Sequence, residues 1–407
     1  MKLSYFGETY MNLSPAILGG RPVASPELPF ARPFLPSYDE IEGQYRSIFS
    51  SGMITTGPYA EQFAEAAAEL LGVKYAVCVS SCTSGLMLAY QALNLPAEAS
   101  VLVPSFTFMA SGLAPLWNRH HIKFIDIDAK TLNLDPKKLE ESITDDCAAV
   151  IGVHQFGAPA PVEEIQTIAD KYGLQVLYDS AHGLGSLHHG KPLGQYGRAE
   201  AFSLTPTKLV IAGEGGIVAT NDEEIAYHLR IGKNYGNPGD YDCLFPGLNA
   251  RMSELHAILG LHSLKMLESA VQTRNNIVRY YRQRLGALPG VSFQEIQDDD
   301  RSSYKDFTLI VEPGEFGLDA AQLTKALDAE GVGSRMYYAP VLHQMKTFRQ
   351  FVDYDPAERL PNTVYLSTRA ISPPLYSDMR EQEAAIVCEA IERIQRNIKA
   401  VLERLTA

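Results

Sequence analysis

Apolar positions along the chain follow two alternating rhythms. Short, nearly continuous apolar runs, YAVCV (75–79), SVLVPSF (100–106), IKFIDI (122–127), AAVIGVH (148–154) and LQVLYDS (174–180), have the length and β-branched content of buried strands. Between them, AEQFAEAAAELLG (60–72), KKLEES (137–142) and VEEIQTIADKYG (162–173) place apolar residues every three to four positions, which predicts helices. Strict alternation of strand and helix predicts an α/β domain whose mainly parallel sheet is covered on both faces. The rhythm changes after SELHAILGLHSLKMLE (253–268). A long helix through NNIVRYYRQRL (275–285), strands at VSFQEI (291–296) and DFTLIVEP (306–313), a helix at DAAQLTKALDAEG (319–331) and one last long helix from about Asp378 to Leu405 predict a smaller α+β domain. Residues 1–268 are thus expected to form an N-terminal arm and a large domain, and 269–407 a small one. The arm, through Tyr59, is rich in Pro and Gly and is expected to hold little regular structure.

Open parallel sheets bind ligands at the C-terminal ends of their strands, and Ser81–Gly85, Ser105–Phe108, His154–Gly157 and Asp179–His182 all fall there. Further on, AFSLTPTKLVIAGEGGIVAT (201–220) holds Lys208 between two apolar runs, with Gly-Glu-Gly-Gly behind it. A lysine amine can attack the aldehyde of pyridoxal phosphate, but only when desolvation and neighbouring charge weaken its hold on a proton; the apolar flanks offer that desolvation. The cofactor also needs a carboxylate at its pyridine nitrogen, and Asp179, at the end of LQVLY, is the candidate. Ser80-Ser81-Cys82-Thr83-Ser84-Gly85 lies where a strand hands over to a helix, a turn whose free N–H groups and positive helix end suit a phosphate. Ser203 adds a hydroxyl, and Phe108 an aromatic face for the pyridine ring.

With these parts in order, the chain resembles the DegT/StrS family of pyridoxal-phosphate sugar aminotransferases over nearly its whole length. The resemblance is carried by SCTSGL, PSFTF, HQFGAP (154–159), DSAHGLGS (179–186), FSLTPTK with GEGG, and GLNARMSELHAILGL (247–261). It implies a fold-type-I transferase with a seven-stranded sheet and a small C-terminal domain. By the same resemblance Lys208 is the Schiff-base lysine and Asp179 the partner of the pyridine nitrogen. Thr83, Ser84 and Ser203 hold the phosphate, Phe108 stacks on the ring and His182 lies near the cofactor. Asn249 reaches the phosphate of the neighbouring subunit, so a homodimer with shared active sites is expected. Two departures are local: Leu204-Thr205 replaces the Phe-His of many relatives, and Cys82 replaces a small Gly or Ala. The implied reaction moves an amino group from an amino acid, glutamate, to a keto sugar carried on a nucleotide diphosphate, as in amino-sugar and polysaccharide biosynthesis. GLNARMSE and SRMYYAP (334–340), followed by His343, look closer to relatives that aminate C-4 of a 4-keto-6-deoxyhexose. Amination at C-3, an aminocyclitol ketone as acceptor, and a catalytically silent, cofactor-binding regulator are the alternatives. A dehydratase on this scaffold goes with histidine in place of the lysine, which Lys208 argues against.

Charge changes the picture little. Thirty-five Lys and Arg against 48 Asp and Glu leave a net charge of −13, which argues against nucleic acid or an anionic membrane as partner. Arg251, Arg335 and Lys346 are candidate cations for a nucleotide's phosphates. Lacking an apolar signal core or a run of the roughly eighteen apolar residues that spans a bilayer, the chain is expected in the cytoplasm. Its five cysteines are odd in number and scattered, the pattern of reduced thiols. The pairs His120-His121 and His188-His189 lack helical i, i+4 spacing and nearby cysteines, so no metal site is expected.

Overall fold

A computed structural model describes residues 14–407. The five apolar runs become β1 (Tyr75–Val79), β2 (Ser100–Pro104), β3 (His121–Ile125), β4 (Cys147–Val153) and β5 (Gln175–Asp179). A short hairpin, β6 (Leu187–His188) and β7 (Lys191–Pro192), follows, then β8 (Ala199–Ser203) and β9 (Gly216–Thr220). Seven of these form one sheet in the order β1-β9-β8-β5-β4-β2-β3. All its neighbours pair in parallel except β9, which runs antiparallel to both β1 and β8. Strands β2, β8 and β9 are buried along their whole length, as a sheet covered on both faces requires. The fold is therefore α/β, as expected.

The helix Pro58–Leu71 buries Phe63, Ala67 and Leu71, spaced i, i+4, i+8, begins with Pro at its first position and ends at Gly72, where φ is +66°. Past the sheet, the helix Leu267–Leu285 leads into a second core in which Tyr281, Phe307, Leu323, Val387 and Ile391 pack together, joined by Ala24 and Leu28 from the opening segment. Strands β10 (Val291–Phe293), β11 (Leu309–Val311) and β12 (Ala370–Ile371) make a small antiparallel sheet beside it. Ser269, the expected start of the small domain, lies in the first turn of Leu267–Leu285. Arg274 on this helix is buried; its guanidinium donates to the carbonyls of Tyr304 (3.1 Å), Lys305 (2.8 Å) and Leu375 (3.2 Å) and to the Ser377 hydroxyl (3.0 Å). It thereby fixes the strand of chain around residue 305.

Two expectations need correction. The arm is not irregular throughout: Tyr38–Ser51 is a helix, started by a capping box between Ser37 and Glu40 and held down by Ile41 and Ile48 one heptad apart. Prolines flank this helix and Gly43 sits inside it, which is why composition concealed it; residues 1–13 of the arm lie outside the described residues. The last helix is two, Glu381–Arg396 and Ile398–Thr406, because Asn397 leaves the helical backbone (φ −110°, ψ 21°) while its amide caps the Arg393 carbonyl at 2.9 Å. Among the described residues, no helix is long and apolar enough to cross a membrane. The five cysteines are free thiols, with Cys243 exposed and Cys147 half-buried.

Candidate active site

At the C-terminal edge of the parallel strands lies a cavity of about 280 Å³. Its floor begins at the turn after β1. Ser81 leaves the strand in extended conformation and caps the helix Cys82–Ala92, its hydroxyl accepting from the Ser84 N–H at 3.0 Å while the Ser84 hydroxyl accepts from the Ser81 N–H at 3.1 Å. Helix geometry leaves the first-turn N–H groups of Cys82 and Thr83 without a partner in the helix, aimed out of its positive end. The turn rests directly on β9: a Cβ on Gly216 would sit 2.5 Å from the Cys82 nitrogen and 2.6 Å from the Ser81 carbonyl carbon, so only glycine fits. Register places Gly216 between Val79 on one side and Ser203 on the other, bringing Ser203 up beside the same turn.

Asp179 closes β5 and is buried. Ser111 donates to its Oδ2 at 2.7 Å and the Ala181 N–H to its Oδ1 at 3.1 Å. Burial pushes the Asp179 carboxyl up, and these two hydrogen bonds with the nearby Lys208 charge pull against it. Behind it, Glu200 is fully buried and accepts from the Ser180 hydroxyl (2.5 Å) and the N–H groups of Gly194 (2.7 Å) and Tyr196 (2.8 Å). His154 Nδ1 accepts from the Ala160 N–H at 2.9 Å, which leaves the ring proton on Nε2, 3.3 Å from Glu200. This polar layer fixes the base of the sheet edge from which Asp179 projects.

Lys208 comes from the loop joining β8 to β9. Leu209, Val210 and Ala212 of that loop are buried in a core with Phe202 and Ile217, and the Ile211 N–H is held by Ser263 at 2.9 Å. With its apolar neighbours anchored, the loop turns the Lys208 side chain into the cavity. Burial first, then the charge of Lys305, draw the Lys208 amine from 10.5 down to about 7. Lys305 is itself buried, paired with Asp306 at 2.8 and 2.9 Å and lying 5.4 Å from the centre of the Tyr337 ring. His182 Nδ1 accepts from the Phe156 N–H at 3.2 Å; burial and the two lysines hold its imidazole well below the usual range, hence neutral. Burial pushes the Cys82 thiol far up, so it stays protonated, donating to the Ala201 carbonyl at 3.4 Å.

The residues singled out from sequence divide clearly. Thr83, Phe108, Asp179, His182, Ser203 and Lys208 all line this one cavity. Phe108 is half-exposed at its mouth rather than packed in the core. Ser84 lies one residue behind the lining with its hydroxyl engaged in the helix cap. Asn249 is exposed, bridging through its backbone to Asn234, and is not among the residues lining the cavity of its own chain. Arg251 contacts Asn234 and the Tyr235 ring, Arg335 sits over Phe30, and Lys346 is exposed; the three stand outside the lining. His343 is buried against Ser105 at 2.8 Å, also outside it. Thr205, noted from sequence as a departure, also lines the cavity, whereas Lys305, Tyr337, Tyr338, Thr207 and Glu214 in its wall were given no role from sequence, nor was Ser111, which holds Asp179. The tyrosines lay in a segment already singled out; nothing local marked Lys305.

The model of the DegT/DnrJ/EryC1/StrS aminotransferase family matches residues 37–392. The chain is 31% identical to the spore coat polysaccharide biosynthesis protein SpsC of Bacillus subtilis (strain 168), over 90% of this chain and 97% of that one. It is 30% identical to the dTDP-4-amino-4,6-dideoxy-D-glucose transaminase of Escherichia coli, over 87% and 95%. Among solved structures, DesI in the presence of its TDP-sugar product superimposes with a TM-score of 0.90 at 30% identity, covering 96% of this chain and 99% of that one. The chain therefore belongs to the DegT/DnrJ/EryC1/StrS aminotransferase family, and it is a pyridoxal-phosphate-dependent aminotransferase of fold type I.

Proposed function

We propose that this enzyme moves an amino group from glutamate to C-4 of a 4-keto-6-deoxyhexose carried on a nucleotide diphosphate. The observation that carries the reading is the convergence of Lys208, Asp179 and the Ser81–Thr83 turn on one cavity. These residues fit the cofactor: a helix-start turn packed so closely on Gly216 that a Cβ there would collide with it, a buried carboxylate and a half-buried amine stand around a single space. Pyridoxal phosphate supplies an aldehyde that a lysine can hold and a ring that withdraws electrons when its nitrogen is protonated. In this reading Thr83, Ser203 and the first-turn N–H groups hold the phosphate, with Ser84 shaping that turn. Asp179, oriented by Ser111, stands at the ring nitrogen, Phe108 covers one ring face and neutral His182 lies beside the ring.

With the cofactor bound, Lys208 would be the residue that holds its aldehyde and the base that moves the proton of the donor's α-carbon. An amine near neutrality can do both, since it is free of its proton for attack and still basic enough to take one. The wall of Lys305, Tyr337 and Tyr338 faces the substrate side and excludes water there. The sugar acceptor is supported by the names of the Escherichia coli relative and of the DesI structure, one a dTDP-4-amino-4,6-dideoxy-D-glucose transaminase and the other solved in the presence of its TDP-sugar product. Asn249, exposed on its own chain, is read as completing the site of a second copy in a cytoplasmic homodimer. Residues 269–407, with the core around Tyr281 and Phe307, are read as the small domain.

The test has two stages. Glutamate added to the yellow holoenzyme should convert its absorbance to that of the aminated cofactor, and a panel of nucleotide-linked keto sugars should restore it. NMR of the product then locates the nitrogen. Nitrogen at C-3, or conversion only by an aminocyclitol ketone, overturns the C-4 assignment; no response to any amino acid makes the protein a silent binder. Mixing Lys208→Ala with Asn249→Ala chains should regenerate complete sites, and hybrids without activity would defeat the shared-site reading.

A further inference from the structure

At the hairpin β6–β7, outside the lining of the cofactor cavity, four titratable side chains from three separate segments meet. His188, closing β6, is buried, and its Nδ1 lies 2.7 Å from Asp300 Oδ1 while its Nε2 lies 2.8 Å from Glu163 Oε2. The Asp300 side chain is only 2% exposed and also accepts from the His189 N–H at 3.2 Å. His189 follows in the turn with φ +48°, its ring 4.1 Å from that of His188. One ligand atom each from Glu163, His188 and His189 lies within 4.8 Å of the others. Beside them opens a cavity of about 190 Å³ lined by Asp128, Asp135, Glu164, Glu295 and Asp300, with no lysine or arginine in its wall.

We propose that Glu163, His188 and His189 form a binding site for a divalent transition metal of the zinc class. Two imidazoles and one carboxylate are the donor set that zinc takes while keeping a fourth position open. Asp300 supplies what a ligating histidine needs behind it: a carboxylate on Nδ1 that fixes the tautomer and turns Nε2 outward. The acidic cavity alongside attracts cations to the spot. Sequence spacing could not disclose the site, because Glu163 lies 25 residues before His188 and Asp300 lies 112 after it. A bound ion would fasten the start of the helix Val162–Tyr172 to the hairpin, and through Asp300 to the segment leading to Lys305. It acts as a clasp, remote from transamination.

Zinc titrated calorimetrically into chelator-treated holoenzyme should bind one ion per chain. Glu163→Ala and His189→Ala change exposed side chains, so both should fold, transaminate normally without metal, and bind zinc at least about tenfold more weakly. Zinc should raise the Tm of the wild type and leave that of the double variant unmoved. No binding up to millimolar zinc, or binding undiminished in the double variant, would overturn the proposal and leave His188 as a histidine clamped between two carboxylates.

Discussion

Replacing Lys305 by methionine should restore much of the proton affinity that Lys208 has lost. The amine stands at about 7 against its ordinary 10.5, a difference of about 5 kcal/mol at roughly 1.4 kcal/mol per pH unit. Burial accounts for the largest part, and the Lys305 charge comes next, opposed by Asp306, Cys82 and Asp179. Two ammonium groups lining one cavity repel by roughly 2 kcal/mol at an effective dielectric near 20, so losing one should raise the other by about 1 to 2 pH units. At pH 7.5 the neutral share of Lys208 would then fall from about three-quarters to about one-tenth. The assay is the pH dependence of Lys208 arylation by dinitrofluorobenzene in apo enzyme, followed by peptide mass spectrometry. Labelling of Lys305→Met should be about eightfold slower at pH 7.5 and equal to wild type above pH 10. Lys305→Arg keeps the charge and should keep the wild-type profile. Because unpairing the buried Asp306 costs about 3–5 kcal/mol, circular dichroism must confirm the fold, and Lys305→Met/Asp306→Asn provides a variant without the orphaned carboxylate. That double variant should show a smaller rise. An unchanged profile in Lys305→Met, or an equal change in Lys305→Arg, would refute the electrostatic reasoning.

Lys208 also predicts a pH slope in stability. Its folded pKa lies below its unfolded value, so between pH 7 and 9 the unfolded chain binds more protons and the apo protein should gain about 2 kcal/mol; urea titrations should show that gain missing in Lys208→Met. Ser111→Ala removes the 2.7 Å bond to Asp179, worth about 1.5–3 kcal/mol for a charged acceptor, and should speed cofactor loss on dialysis about tenfold; wild-type retention would mean Asp179 is held by other contacts. Gly216→Ala drives a methyl into backbone at Cys82, where nothing can yield cheaply, and should cost about 1–3 kcal/mol in thermal unfolding together with phosphate affinity measured by cofactor titration; unaltered affinity would dissociate the turn from the phosphate.

The parts readable from sequence were those specified locally. Lys208 announces itself because the residues that anchor its loop are its own neighbours, Leu209 to Ala212. Asp179 is visible because a strand's end is marked by where its apolar run stops. Lys305 had no such marker: it stands 97 residues beyond Lys208 in sequence, and long-range bonds return it to the site, Arg274 of the helix Leu267–Leu285 on its carbonyl and the Phe156 carbonyl on its N–H at 3.0 Å. Ser111 lies inside a helix, where a serine is ordinarily unremarkable, and gains meaning only from the 2.7 Å approach of a residue 68 positions away. The helix Tyr38–Ser51 was hidden for the opposite reason, since its neighbourhood suggested loop while its own capping box and two isoleucines specified helix.

The placement of Lys305 bears on biogenesis. Synthesis delivers the β8–β9 loop with Lys208 long before the segment pinned by Arg274, and Tyr337 and Tyr338 later still. A nascent chain ending near residue 268 carries Lys208 and the turn at Ser81–Thr83 but neither Lys305 nor the two tyrosines, so its amine lacks the second cation that helps draw the proton off. The cavity wall is therefore completed late in synthesis, and a ribosome-bound fragment should take up free pyridoxal phosphate more weakly than the full chain.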